Sequence, residues 1–311
     1  MSEYNKPSCT TEVGNTGVND CSFDPKHIIG AMLIPKSKVF TENELAAIKT
    51  TLQTGTLAAP ELRMYPIFKF VALTDGSEEE TISTKGYGNK SVNREGKYDW
   101  TFEVMGGGVC LQKKLRMFNG NKKYKVLFFT ADKYLVGTKD TTGQLMGVAY
   151  DDIYAKPFKL SDGTNDTMYM IRFLLSKPEE LNDTPFAMKL DFDPEENIKG
   201  LIDLELYEVS VTTGEATIQV RTACDKLNLY DLYTTELTNV ANWTVSKAGA
   251  EVTIDVIVPN ATTKDFTLHV SNTGDHVFTL AAPATLAADG MGGAPDNGYE
   301  AGTVTVTLPT S

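Results

Sequence analysis

Two hydrophobic rhythms alternate along the chain. Behind Thr41-x-x-Glu44, a capping-box pattern, Leu45, Ile48 and Leu52 recur at helical spacing, so a helix is predicted from Thr41 with Gly55 as its stop. Leu111, Leu115 and Phe118 stand at i, i+4 and i+7, which predicts a second helix over 110–118, entered through Gly106-Gly107-Gly108 and closed by Asn119-Gly120. Runs rich in β-branched and aromatic residues predict strands over 66–73, 98–104, 124–129, 134–136, 168–175 and 201–209. The runs at 124–129 and 134–136 are close enough to pair as a hairpin turning through Ala131-Asp132-Lys133.

From Ser210 onward the text changes to Thr, Val and Ala in short alternating runs. Residues 252–258 read VTIDVIV, close to period two, and similar runs fall at 216–221, 265–270, 276–280 and 303–308 between Asn, Gly and Pro punctuation. Evenly spaced short strands of this kind predict an immunoglobulin-like sandwich, with Trp243 as an inter-sheet anchor. The predicted fold is therefore mainly β. An N-terminal antiparallel β domain, sandwich- or barrel-like and carrying one or two helices, spans 1–209, and a C-terminal immunoglobulin-like β-sandwich spans 210–311.

Charge sharpens this division. The chain carries 29 basic and 41 acidic residues, a net charge of -12, and only four of the basic and eleven of the acidic residues lie beyond Val209. Such a balance disfavours gripping a nucleic-acid backbone or an anionic membrane surface. The 311 residues suffice for two buried cores, and no window reaches the roughly 18 to 20 apolar residues that a membrane-spanning helix needs. The opening Met1 to Ser22 shows neither a basic leader nor an apolar stretch, so a soluble chain without an export signal is expected.

Candidate chemistry is sparse. Histidine occurs only at His27, His269 and His276, which leaves few acid-base groups near neutral pH. Cys9, Cys21, Cys110 and Cys224 are too scattered for a disulfide scaffold, and free buried thiols are the expectation. Cys9, Cys21 and His27 lack the paired short spacing of structural zinc; whether the two cysteines join is open. Gly106-Gly107-Gly108 ahead of a helix has the donors for a phosphate but neither a P-loop ending nor a dinucleotide fingerprint. Asp191, Asp193, Glu195 and Glu196 supply oxygen ligands without the glycine of an EF-hand loop, so a solvated turn is expected. Asp151 and Asp152, adjacent on a strand, face opposite sides and do not form a catalytic pair. No catalytic, cofactor-binding or metal-ligating residue is assigned, and no enzyme activity or cofactor is expected.

Two segments read as interaction surface. Residues 74–94, TDGSEEETISTKGYGNKSVNR, form a long polar glycine-punctuated loop, and 288–302 carry five glycines in fifteen residues. The polar arm over residues 1–24 has no periodic apolar face and is expected to order against a neighbour.

Several N-terminal phrases carry a resemblance: GNTGVNDCSFDPKHIIGAMLIPKSKVFT at 14–41, MYPIFKF at 64–70, EGKYDWTFEV at 95–104 and LFFTADKYLVGT at 127–138. Over about the first two thirds, the chain resembles virion structural proteins of tailed phages of Bacteroidota, the crAss-like phages among them, and within such virions it is similar to tail-tube and tail-ring proteins. The resemblance implies a subunit assembled in the host cytoplasm into the virion. Copies of it join, beside neighbouring virion proteins, around a channel through which DNA passes without specific binding. A head-decoration or neck protein is the alternative position. An adhesin binding a host-surface glycan through the sandwich, with Trp243, Tyr230, Tyr233 and Tyr299 as its aromatic face, is the alternative function.

Overall fold

A computed structural model describes residues 27–161, 163–164, 166–293 and 296–309. The chain is mainly β and divides into two compact units. Among the described residues, the first comprises those up to Leu52 together with Glu61–Asn197; the second comprises Gln53–Pro60 and those from Ile198 onward. The division thus falls at 197/198 and not at 209/210. The reason is topological: strand Leu201–Thr212 runs through 209/210 and pairs with Glu215–Thr222 through a turn in which Gly214 takes φ 75°. The drop in charge after Val209 marks a change of surface, not of fold.

In the first unit, a seven-stranded antiparallel sheet runs in the order Val39–Phe40, Leu145–Met146, Tyr134–Lys139, Tyr124–Thr130, Ile28–Pro35, Tyr65–Phe68, with Pro185–Lys189 beside Tyr134–Lys139. A four-stranded antiparallel sheet runs in the order Tyr150–Lys159, Met168–Leu175, Asp99–Met105, Phe70–Asp75. Alternation sends Tyr169, Ile171, Phe173 and Leu175 of one strand into a shared core, where they meet Phe102, Val104, Phe128 and Leu33. The predicted run over 66–73 is split in two at Lys69, whose φ of 65° breaks the extended backbone and passes the chain from one sheet to the other. Tyr124–Thr130 and Tyr134–Lys139 do form a hairpin, with Lys133 at φ 66° in its turn.

The helix begins as its pattern demands. The Glu44 amide donates to Thr41 Oγ1 at 3.4 Å and the Thr41 amide donates to Glu44 Oε2 at 2.9 Å. It does not stop at Gly55. Helix Glu42–Ala46 breaks at Ala47 and a second helix, Ile48–Leu57, runs through the glycine, which costs about 1 kcal/mol but does not by itself end a helix. Helix Gly108–Arg116 follows the glycine run, all three of whose residues take positive φ. The short helices Glu179–Asn182 and Pro194–Asn197 exceed the one or two expected. Single turns contain no repeat from which to read them.

In the second unit, a five-stranded sheet runs in the order Ile254–Asn260, Asp265–Val270, Glu215–Thr222, Leu201–Thr212, Gly298–Ala301, and a four-stranded sheet in the order Ala250–Val252, Trp243–Lys247, Gly274–Leu280, Val304–Leu308. They enclose one core containing Phe266, Phe278, Leu268 and Ile218. Trp243 is buried there, its indole Nε1 donating to the Leu237 carbonyl at 2.8 Å, so it is the anchor its surroundings predicted. This immunoglobulin-like sandwich departs from the simplest form by two helices, Tyr230–Thr238 and Pro283–Ala288, and by a parallel pairing of Leu201–Thr212 with Gly298–Ala301. Residues 288–302 are therefore not all loop. No helix among the described residues is long and apolar enough to cross a membrane.

Candidate functional site

Residues 74–94 are not a loop either. Thr81–Thr84 and Lys90–Arg94 pair antiparallel as a two-stranded ribbon that joins no other sheet among the described residues, so the outer edge of each strand is unpaired. Ile82 and Val92 lie opposite each other on one face, 50% and 58% exposed. At the tip, Tyr87 sits between two glycines with φ 64° and a fully exposed ring. A bulky residue rarely takes this backbone conformation. Counting about 3.3 Å per residue, the three steps of the paired strand Thr81–Thr84 span about 10 Å before the chain turns at the tip. Residues 81–93 contain Lys85 and Lys90 and no acid, a basic tip on an acidic chain.

The root of the ribbon is fastened to the four-stranded sheet. Asp75 Oδ1 accepts from the Ser77 amide at 2.9 Å and from its hydroxyl at 2.5 Å, and these bonds hold the Asp75 carboxyl below its ordinary pKa. The Asp99 amide donates to Ser77 Oγ at 3.2 Å, while the Asp99 carbonyl accepts from the Gly76 amide at 2.8 Å. Arg94 pairs with Glu78 at 2.8 Å, and the Glu78 amide donates to the Lys97 carbonyl at 3.0 Å.

Between the two sheets of the first unit, an apolar cavity of about 360 Å³ opens to the surface. Tyr98, Trp100 and Phe128 form its aromatic wall, with ring centroids 5.2 Å apart for the first pair and 5.4 Å for the second. Leu181 and Asn182, from helix Glu179–Asn182, stand at the mouth, where Tyr98 donates its hydroxyl to Asn182 Oδ1 at 2.6 Å. Thr130 turns its hydroxyl to Asp132 at 2.5 Å, which leaves the interior apolar. Residues 178–185 carry Glu179, Glu180 and Asp183 and no base.

The other candidate residues do not converge. Asp193 caps helix Pro194–Asn197, its Oδ1 accepting from the Glu195 amide at 3.0 Å, and no cluster of three metal-ligating side chains occurs among the described residues. Asp151 is paired with Lys97 at 2.5 Å. His276 is fully buried with Nδ1 2.8 Å from the Gly274 carbonyl, and His269 lies 3.3 Å from Glu215. Trp243, Tyr230 and Tyr299 are buried in the sandwich core, and Tyr233 packs against it with its hydroxyl 3.3 Å from that of Tyr299, so they present no exposed aromatic face. Burial, then Tyr233, pushes the Tyr299 hydroxyl pKa up. Cys110 and Cys224 are each disulfide-bonded, which corrects the expectation of free thiols; scattered spacing along the chain does not report proximity in the fold. Cys9, Cys21 and the arm over residues 1–24 lie outside the described residues.

Sequence reasoning singled out the 74–94 segment but missed both its pairing and the cavity. The Tyr98-x-Trp100-x-Phe102 alternation was the available signal, since period two places all three aromatics on one face. A comparison with protein-family models finds no match, and a comparison with curated proteins finds none either.

Proposed function

We propose that this chain is a structural subunit that works by assembling with copies of itself, as a tail-tube or tail-ring protein of a phage virion does. The single observation that carries the reading is the ribbon at 81–94. Among the described residues it offers two unpaired strand edges, an apolar pair at Ile82 and Val92 and an exposed aromatic tip, all of which a solitary protein normally shields. Its neighbours in the virion are copies of itself and other virion proteins. Its contribution is shape and charge, without a reaction or a cofactor. A net charge of -12 suits a conduit, because a surface of that sign does not retain passing DNA.

The test is light scattering on the full chain and on a variant whose residues 81–93 are replaced by a short turn. The reading expects an oligomer for the first, and a lower mass with unchanged circular dichroism for the second. Equal masses for the two would remove the ribbon as a contact.

A further inference from the structure

We infer that the aromatic cavity of the first unit is the socket for the ribbon tip of a second copy, with Tyr87 as the inserted side chain. This rests on the self-assembly reading and names the surface that receives the ribbon.

Three observations converge on that occupant. The first is shape and chemistry. The cavity is open, apolar and walled by Tyr98, Trp100 and Phe128, and aromatic rings favour edge-to-face or offset contacts with a further ring. Buried aromatic anchors in such pockets carry most of the energy of a protein interface. Tyr87 is the largest side chain at the ribbon tip, and its ring is fully exposed. The second is charge. Lys85 and Lys90 flank Tyr87 with no acid between residues 81 and 93, while Leu181, Asn182 and Pro185, which line the cavity, belong to a segment over 178–185 whose charged residues, Glu179, Glu180 and Asp183, are all acidic. Complementary charge of this kind fixes register and speeds encounter. The third is backbone strain. Tyr87 holds φ 64°, a conformation costing on the order of 1 kcal/mol or more for a non-glycine residue, with glycines on both sides. A residue kept so displays its ring outward at the turn that closes the two-stranded ribbon, beyond a paired strand of about 10 Å.

The contact is heterologous: tip on one surface, socket on another. Repeated from copy to copy, it generates a closed ring or an open helical array. A self-complementary dimer does not need it.

The test places a photoreactive benzoylphenylalanine at position 87 of the full chain and mixes light and heavy isotope-labelled copies. Cross-linked peptides pairing one label with the other, and ending within 98–100 or 181–185, are the expected result. Tyr87→Ala and Asn182→Arg should each raise the concentration for half-assembly at least about tenfold while leaving circular dichroism unchanged. Combining them should add little to either alone, because they break one contact. Asn182 is exposed at the mouth, so its replacement spares the core. Cross-links confined to one chain, or reaching another surface of the second copy, would overturn the socket while leaving self-assembly standing. Assembly that survives Asn182→Arg unchanged would do the same. A wild-type chain that stays monomeric would remove the self-assembly reading itself.

Discussion

Arg172 holds Asp99 side-on: its Nε lies 2.6 Å from Asp99 Oδ1, and its Nη2 bonds the other carboxylate oxygen. The same Asp99 bonds Gly76 and Ser77 through its backbone, so the pair ties the ribbon's root to strand Met168–Leu175. The Asp99 carboxylate, bonding first and charge second, pushes the Arg172 pKa up. With Arg172 41% exposed, solvent screening keeps the pair's contribution to global stability below about 1 kcal/mol. Arg172→Met should therefore leave the denaturation midpoint almost unchanged. Amide exchange at Gly76 and Glu78 should rise about fivefold, read by hydrogen exchange. Unchanged exchange there would show that the root does not depend on the pair.

Gly96 faces the backbone of Glu78 at the same root. A Cβ at this position would lie 1.7 Å from the Glu78 carbonyl oxygen, and a main chain cannot step aside as a flexible side chain does. Gly96→Ala should open the root, lower stability in urea by about 1–3 kcal/mol and weaken assembly. A variant with wild-type stability and assembly would contradict that geometry.

Acid should loosen the first unit. Asp75, held by Ser77, and Asp151, held chiefly by Lys97, both titrate below the ordinary aspartate value of 3.8. A carboxyl depressed in the folded state adds stability above its unfolded pKa and loses it as pH falls through the folded value. Melting temperature should accordingly hold between pH 7 and about pH 5 and fall once pH drops through about 4 and below. A midpoint that does not change on going to pH 3 would contradict the folded-state pairing.

Trp243 should be the costliest single truncation in the sandwich. It is 5% exposed, bonded to Leu237 and packed near Phe266 at a ring separation of 6.5 Å. Trp243→Ala removes a large buried side chain and leaves a void, worth about 3–5 kcal/mol. Urea denaturation checks it, and a loss under about 1 kcal/mol would mean the core closes around the gap.

Where the pattern was strong, the elements were legible. Strands Met168–Leu175 and Asp265–Val270 coincide with their predicted bounds because one face of each is buried and the other is not, the condition that writes period two into a sequence. The capping box at Thr41 was equally plain, since it is a local bond between residues three apart. Strand Ile28–Pro35 escaped the reading because both its faces are buried, leaving IIGAMLIP with no alternation. The ribbon failed for the opposite reason: with both faces exposed, polar residues carry no phase at all. For the cavity, local alternation signals one aromatic wall but not the elements that close it. Its wall at Tyr98 and Trp100 meets Leu181 and Asn182, more than eighty residues later, only through sheet pairing and helix placement.

The central claim, that this protein acts by fitting against copies of itself, is tested most directly by negative-stain images of the purified full chain. The account predicts closed rings or tubes of repeating subunits. A field of dispersed single particles of 34.0 kDa at every concentration would contradict it.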